Sequence, residues 1–235
     1  MRGQDRPGTS PASTPSATRH APDPAPAPAS APVRLVVLGD SLAEGRDDPR
    51  PSGGWLGWAG RLADGLGLPP DRVVNLGEPG ATVAEVARTQ LPRVRHLRPG
   101  LVMLNCGMND VVNGFEAQEA AGHLREVFGW ASSAGAAGVA APVPRPPLLR
   151  RSIISDFRRK RILERIRSFN AELRSAARSH GMEFIEPAAV PRVEDPSLWA
   201  FDGIHLNSAG HAYVAEIITD FVKNLLGEHV LSTSG

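Results

Sequence analysis

The sequence of 235 residues is poor in cysteine, and Cys106 is its single one. One thiol cannot close an intramolecular disulfide or build a cluster of thiolate ligands, which excludes disulfide-stapled scaffolds and cysteine-type zinc modules. Long apolar runs are also absent, since no stretch of about 18 apolar residues occurs. The N-terminus lacks the cationic start and apolar stretch of a secretory signal. We therefore expect a soluble, cytoplasmic protein without a membrane span.

The sequence also lacks an excess of charge of either sign. The 26 lysine and arginine residues nearly balance the 25 aspartate and glutamate residues, which leaves a formal net charge of +1. Such a chain has no overall field to hold nucleic acid, so we expect no nucleic-acid partner. Its length suits one α/β domain with a large core rather than two domains. No pattern in the sequence predicts an oligomeric state.

The composition divides the chain into three parts. Residues 1–32 are built mostly from proline, alanine, serine, threonine and glycine. This segment buries too little apolar surface to offset the entropy lost on ordering, so we predict a disordered tail. Residues 33–228 form the predicted folded domain, and residues 229–235 form a predicted C-terminal tail.

Five short apolar runs in the domain are typical of buried parallel strands, because they are aliphatic and are bounded by glycine, proline or aspartate. They cover residues 33–39, 72–76, 101–106, 138–143 and 182–185. Stretches with helical spacing separate them. This alternation predicts right-handed crossovers and a doubly wound α/β fold with a five-stranded parallel sheet. In such a sheet, ligands bind beyond the carboxyl ends of the strands.

Three polar or glycine residues follow the first three predicted strands. Ser41 lies at the start of a helix, where its hydroxyl and free backbone N–H favour a developing anion, although a helix cap is the simpler interpretation. Gly80 can turn its N–H into the cleft, although an ordinary glycine turn is simpler. Asn109 offers a neutral amide donor or serves as a turn residue.

A carboxylate and an imidazole lie between the last strand and the last helix. Asp202 precedes His205 by three residues, and Gly203 permits a tight turn between them. The carboxylate can therefore bond one ring nitrogen and leave the other facing the cleft. Each of these four patterns is weak alone. Because all four fall in the connections around the sheet, we expect them to converge at one edge.

These patterns resemble the four marker blocks of the SGNH (GDSL) hydrolase family. Met108 departs from the pattern, since many members carry glycine there, and it would crowd the floor of the site. The first block and the segment 54–59 look most like actinobacterial members. The resemblance covers roughly residues 33–226 and implies a three-layer α/β/α flavodoxin-like sandwich. The four blocks are residues 39–42 (Gly-Asp-Ser-Leu), 75–80, 107–110 and 202–205.

The resemblance also implies a serine esterase mechanism that needs no metal or organic cofactor. Ser41 would be the nucleophile, and Asp202 and His205 would complete a Ser-His-Asp triad. The oxyanion hole would consist of the backbone N–H groups of Ser41 and Gly80 and the side-chain amide of Asn109.

We therefore expect a carboxylic ester hydrolase whose partner is a small-molecule acyl ester or thioester, with a small or short acyl chain. Alternatively, the same triad would make the protein an acyltransferase or thioesterase in a biosynthetic pathway. A non-catalytic α/β binding module that keeps these turns for folding alone is a third interpretation.

Positive charge is concentrated between residues 142 and 180, which contain 11 lysine or arginine residues and three acidic ones. One interpretation is a basic rim that attracts an anionic acyl donor, such as a coenzyme A thioester or an acidic carrier protein. The simpler one is a solvated helix face. The sequence assigns no role to the proline- and arginine-rich residues 143–161 within this region.

The remaining reactive side chains are expected to be structural. Cys106 ends the third predicted strand and should lie in the core. His211, one turn into the last helix, is expected at the surface. The other histidines have no partners at ligand spacing, so no metal site is predicted.

Overall fold

A computed structural model describes residues 35–232 of the chain. The predicted tail 1–32 lies outside the described residues, as do the last three residues of the predicted tail 229–235. The described residues contain a five-stranded, all-parallel sheet with helices on both faces. The predicted α/β fold is therefore confirmed. Within the described range, no helix combines the length and apolar character needed to cross a membrane.

Each predicted apolar run overlaps one strand, although β4 begins one residue before the run at 138–143. The strand order across the sheet is β2-β1-β3-β4-β5, and all neighbouring strands are parallel. This is the flavodoxin-like order, in which the chain reverses direction across the sheet between β1 and β3. The strands are β1 Leu35–Gly39, β2 Val73–Asn75, β3 Leu101–Asn105, β4 Ala137–Ala140 and β5 Glu183–Phe184.

Helices occupy the connections between the strands. A π-helical segment, Val86–Gln90, joins α3 to α4, and short 3₁₀ turns lie at 147–150 and between 187 and 198. The last helix continues to Ser232, which lies inside the predicted C-terminal tail. The α-helices are α1 Ser41–Glu44, α2 Gly57–Gly65, α3 Val83–Glu85, α4 Leu91–Val94, α5 Met108–Asn113, α6 Ala117–Ser133, α7 Asp156–Ser179 and α8 Ser208–Ser232.

Two apolar clusters cover the two faces of the sheet and make it the middle of three layers. Successive side chains of a strand point to opposite faces. In β1, Leu35 and Val37 accordingly join the cluster with α2 and α8, whereas Val36 and Leu38 join the cluster with α3 to α7. All four side chains are fully buried. Burial of each such side chain stabilises the fold by about 1.5–3 kcal/mol.

The carboxyl end of β1 is fixed by a glutamine from the π-helical segment. Gln90 is fully buried, accepts a hydrogen bond from the N–H of Gly39 at 2.9 Å and donates one to its carbonyl at 2.8 Å. Gly39 has a φ of +148°, and a Cβ there would lie 1.9 Å from the carbonyl oxygen of Asn105. Glycine is therefore required where β1 passes into the turn that follows it.

Gln90→Met keeps the side-chain length but removes both hydrogen bonds to Gly39. We expect a loss of about 1–3 kcal/mol in the free energy of unfolding, because the buried N–H of Gly39 is left without its acceptor. Urea denaturation measures this loss. The exposed Arg88→Met, in the same segment, is the matched control and should change stability by no more than about 0.5 kcal/mol. Equal effects of the two variants would contradict the role assigned to Gln90.

Candidate active site

Three side chains that the sequence singled out meet at the carboxyl edge of the sheet. Nε2 of His205 lies 2.9 Å from Oγ of Ser41, although the two residues are 164 positions apart. Nδ1 of the same ring lies 2.5 Å from Oδ2 of Asp202. A hydroxyl next to a base, with the base held by a carboxylate, is the arrangement that activates a serine for nucleophilic attack.

A tight strand-to-helix turn presents the hydroxyl of Ser41. The side chain of Asp40 caps α1 by accepting a hydrogen bond from the N–H of Leu42 at 2.9 Å. The helix ends after one turn at Gly45, which has a φ of 93° and donates its N–H to the carbonyl of Ser41. The side chain of Ser41 is thereby held at the start of a helix, facing His205.

The other end of the hydrogen-bonded chain is a turn built by Asp202. Its Oδ1 accepts hydrogen bonds from the N–H groups of Ile204 at 2.8 Å and His205 at 3.1 Å, while Oδ2 faces the ring. Burial alone would raise the pKa of Asp202, but these hydrogen bonds outweigh it and hold the pKa below its usual value. An ionised carboxylate favours a proton on Nδ1, which leaves Nε2 free to accept the proton of Ser41.

A tryptophan connects the turn that carries Ser41 with the helix that follows His205. The indole N–H of Trp58 donates to the carbonyl of Leu42 at 2.8 Å, and its backbone N–H donates to Nδ1 of His211 at 3.2 Å. Trp58 is almost fully buried between α1 and α8. These contacts fix the distance between the two segments that supply the hydroxyl and the imidazole.

Two of the expected oxyanion donors, Gly80 in the loop before α3 and Asn109 in the first turn of α5, lie in segments that are tied to each other and to β1. The amide Nδ2 of Asn109 donates one hydrogen to the carbonyl of Ala81 at 3.0 Å, and its second hydrogen has no acceptor in the described part of the chain. The N–H of Glu78 donates to the carbonyl of Gly39 at 3.1 Å. Gly80, with a φ of 84°, lies between these two contacts. Within residues 35–232, its N–H group has no hydrogen-bond acceptor.

Two buried carboxyl groups lie beneath the site. Burial raises the pKa of Asp40 to about 7, against a smaller lowering by the N–H of Leu42, and Asp110 raises it further. Burial likewise raises the pKa of Asp110 to about 6, although the N–H of Val83 bonds its carboxylate. The Oδ2 atom of Asp40 has no partner among the described residues. A proton on this carboxyl avoids an unpaired charge in the core.

Sequence reasoning missed Asp47, whose carboxylate Oδ2 lies 3.8 Å from Nδ1 of His205. It is the one described non-glycine residue with a positive φ, at 69°. Ligand atoms of Asp47, Asp202 and His205 lie within 4.8 Å of one another, a spacing that suits a metal ion. However, Nδ1 of His205 is already bonded to Asp202, so a cation would have to displace this bond. An unusual φ in a polar loop is visible only in the structure.

Two anchored neighbours hold Asp47 in place. The carbonyl of Arg46 accepts a hydrogen bond from Nε2 of His211 at 2.9 Å, and Asp48 binds Arg61 through both oxygens at 2.9 and 3.1 Å.

His211 is fully buried, so its expected surface position was wrong. The helical position suggested an outward side chain, but both ring nitrogens find backbone partners inside, which allows burial in the neutral form. Burial lowers the pKa of His211 accordingly.

A cavity of about 490 Å³ lies next to this arrangement. Its walls come from the carboxyl ends of β3, β4 and β5, from α7 and α8, and from the 3₁₀ turns after residue 186. Most of the wall residues are apolar. They include Leu42, Trp58, Ile166, Val190, Leu206 and Ile218.

Much of the basic region is paired with acidic side chains. Nη2 of Arg150 lies 3.0 Å from Glu194, and Nε of Arg174 lies 2.9 Å from Glu186. Both pairs are partly exposed to solvent and contribute little to stability. Arg145 also lies near Glu194, at 3.6 Å. The ion pairs reduce the positive field that an anionic acyl donor would encounter, which favours the solvated-face interpretation.

The chain belongs to the GDSL-like lipase/acylhydrolase family, whose model matches residues 37–213. Membership of this family supports an ester hydrolase. No curated protein matches the chain significantly. The expected likeness to actinobacterial members stays a prediction.

Solved structures share the fold at low sequence identity. TesA is 23% identical with a TM-score of 0.64, over 82% of this chain and 99% of TesA. The psychrotrophic esterase EstA from Pseudoalteromonas sp. is 17% identical with a TM-score of 0.62, over 83% of this chain and 98% of EstA. A catalytic mutant of Axe2, an acetylxylan esterase from Geobacillus stearothermophilus, is 19% identical with a TM-score of 0.61, over 80% and 92%.

Asp40→Asn tests the buried carboxyl group. Its pKa is about 7 in the folded protein and 3.8 without burial. The folded state therefore holds a proton that the unfolded chain releases in this window, so the stability contributed by the protonated carboxyl is complete at low pH and falls as the pH rises towards 7. Relative to the variant, the wild type should lose stability across this window in urea denaturation.

The exposed Asp64→Asn, on α2, is the control for this measurement. Because Asp64 is exposed, its replacement should change the unfolding free energy by no more than about 0.5 kcal/mol across this window. A constant difference for Asp40→Asn as well would contradict a protonated carboxyl under the site.

Proposed function

We propose that this protein is a serine hydrolase that cleaves a small or short-chain acyl ester through an acyl-enzyme on Ser41. The observation that carries the proposal is the unbroken chain of contacts from Oγ of Ser41 through His205 to Asp202, at 2.9 and 2.5 Å. A binding module has no physical need for a hydroxyl aligned with an imidazole and a carboxylate.

In the first half of the proposed reaction, Oγ of Ser41 attacks the ester carbonyl carbon as Nε2 of His205 takes the hydroxyl proton. The tetrahedral intermediate then expels the alcohol, which receives that proton from Nε2. Asp202 keeps the other ring proton on Nδ1 and stabilises the imidazolium. The nearby carboxylate of Asp47 adds negative charge on the same side of the ring.

In the second half, water attacks the acyl-enzyme, and Nε2 of His205 accepts one of its protons. The intermediate collapses to the free acid, and the proton returns to Oγ of Ser41. An alcohol in place of water would give acyl transfer, and a thioester donor would enter by the same first half. Both alternatives share the triad. Product analysis with added alcohol distinguishes acyl transfer from hydrolysis, and a thioester substrate tests the second alternative.

The oxyanion that forms in each half requires donors in place before the reaction. The backbone N–H groups of Ser41 and Gly80 and the second amide hydrogen of Asn109 are the proposed donors. The bond from Asn109 to the carbonyl of Ala81, at 3.0 Å, supports this proposal because it orients the amide before substrate binds. Preorganised donors lower the barrier because they need not reorient as charge develops.

Ser41→Ala removes the proposed nucleophile. We expect it to lower kcat for p-nitrophenyl butyrate by at least about a thousandfold and to abolish covalent labelling by a fluorophosphonate probe. The exposed Ser168→Ala, on α7, is the control and should retain both activity and labelling. Wild-type activity in Ser41→Ala, or a wild-type protein that neither hydrolyses esters nor reacts with the probe, would contradict the proposed function.

Asn109→Ala removes one proposed oxyanion donor and leaves the triad intact. We expect kcat to fall by about 10²–10³-fold with little change in KM, because this contact strengthens only as the oxyanion forms. Steady-state kinetics with the same ester give both constants. The exposed Asn113→Ala, at the end of α5, should behave as wild type. A change confined to KM would show that Asn109 binds the ground state instead.

A further inference from the structure

A group of exposed apolar side chains lies next to the loop that carries His205. Among residues 35–227, whose side chains the structure describes, four large apolar side chains are exposed: Val112, Ile153, Phe157 and Phe201. The last three belong to one region of the surface and are 80%, 78% and 96% exposed. Single exposed apolar residues are common on soluble proteins, whereas a group of large ones marks an interaction site.

Contacts between two segments bring these three side chains into one region. The guanidinium of Arg151 lies over the ring of Phe201, 5.6 Å from the ring centroid, and also donates a hydrogen bond to the carbonyl of Phe201. Ile153 follows Arg151 by two residues, and Phe157 lies four residues further on, in the first turn of α7. The ring of Phe201 is therefore joined to the segment that carries the other two.

This segment is held in place from both sides. The N–H of Leu148 donates to the carbonyl of Gly203 at 3.1 Å, in the loop between Asp202 and His205. Nη2 of Arg159, in α7, donates to the carbonyl of Ile154 at 3.2 Å. Ile154 itself is buried, whereas its neighbour in sequence is exposed. The exposed side chains are thus fixed outward by packing.

Basic side chains surround the apolar ones. Residues 150–161 contain six lysine or arginine residues and a single acidic one. This acidic residue, Asp156, pairs with Arg159 at 2.8 Å, and Arg150 pairs with Glu194 at 3.0 Å. Four further cations are exposed and have no acidic partner within 4 Å among the described side chains, so their charge is available to a partner. They are Arg151, Arg158, Lys160 and Arg161.

The shape and charge of this surface favour a lipid bilayer over a protein partner. Ile153, Phe157 and Phe201 are so exposed that they protrude, and none of them lines the cavity of about 490 Å³. A protein partner needs a matching pocket for each protruding side chain. A bilayer takes up such side chains at the level of its headgroups, while basic neighbours attract anionic lipids.

We propose that residues 150–161 and Phe201 form an adsorption surface for anionic phospholipid bilayers. In this arrangement, the apolar side chains enter the headgroup region and the cations contact lipid phosphates. Because Phe201 directly precedes Asp202, adsorption brings the carboxyl edge of the sheet close to the bilayer. The proposal goes beyond the proposed function, since adsorption requires no reaction at Ser41.

Co-sedimentation of the full chain with vesicles measures adsorption. We expect vesicles of phosphatidylcholine with about 30% phosphatidylserine to bind at least about tenfold more tightly than phosphatidylcholine alone, because each free cation contributes about fivefold. An increase in NaCl from about 0.1 to about 0.5 M should remove most of this preference, since it shortens the Debye length. The net charge of +1 gives the whole chain little attraction for anionic lipid, so a preference must come from a local surface.

A triple variant, Arg158→Gln, Lys160→Gln and Arg161→Gln, tests the position of this surface. It should weaken binding to the anionic vesicles by at least about tenfold. The matched control removes two arginines and one lysine that are exposed but lie before β3 or late in α8, and it should stay within about twofold of the wild type. This control carries Arg93→Gln, Arg98→Gln and Lys223→Gln.

Phe157→Ser tests the apolar contact without a change in charge. It should weaken binding to the anionic vesicles by at least about fivefold, because less apolar surface leaves water. Phe157→Trp should retain wild-type binding, and its fluorescence should shift to shorter wavelength when anionic vesicles are added. Val112→Ser, at the exposed apolar residue outside the surface, is the control and should bind as the wild type. Circular dichroism and urea denaturation verify that all variants fold.

Several outcomes would overturn the adsorption surface. They are equal binding to both kinds of vesicle, equal losses in the two triple variants, and wild-type binding by Phe157→Ser. Binding to poly-L-glutamate but not to anionic vesicles would assign the surface to an acidic protein instead. Ser41→Ala should bind vesicles as the wild type does. A failure of the serine mechanism therefore leaves the adsorption surface standing, and its own failure leaves that mechanism untouched.

Discussion

The structure of the site depends on one hydrogen bond, from Oγ of Ser41 to Nε2 of His205, which spans 164 residues of sequence. Neither residue could hold this geometry alone. The hydroxyl is fixed by the turn at the end of β1, where Gln90 clamps Gly39, and the ring is fixed by Asp202. Trp58 connects the two segments through Leu42 and His211. The bond therefore depends on the packing of the first strand, the second helix and the last helix together.

The fold and the convergent residues could be predicted because their signals are local. Aliphatic runs bounded by turn residues predicted the five strands, and the chain order of the connections predicted a common edge. The helical stripe of α7, with Ile162, Ile166 and Leu173, is buried as its spacing indicates. The strand ends were less accurate: β4 stops at Ala140, whereas the apolar run continues to residue 143. Beyond Ala140 those residues line the cavity, and their apolar character serves packing there rather than a strand.

Other parts of the site could not be predicted because they arise from packing between distant segments. The position of Asp47 near His205 depends on Arg46 being held by His211, 165 positions along the chain, and on Asp48 being bound by Arg61 in the next helix. His211 looked like a surface residue because its two partners, Trp58 and Arg46, lie more than 150 positions away. The cavity is formed by strand ends, two helices and 3₁₀ turns, so no single stretch of sequence carries its pattern. Long-range contacts of this kind produce no periodic pattern in the sequence from which they could be predicted.

The separation of the two ends of the site has a consequence during synthesis on the ribosome. Ser41 emerges first, whereas His205 follows 164 positions later and Asp202 shortly before it. An unfinished polypeptide thus carries the serine without its base, and its hydroxyl is only as reactive as any ordinary alcohol. In the proposed mechanism, hydrolytic competence therefore appears only once α8 has docked against α2. Enzymatic turnover would accordingly serve as a sensitive reporter of complete folding in refolding experiments.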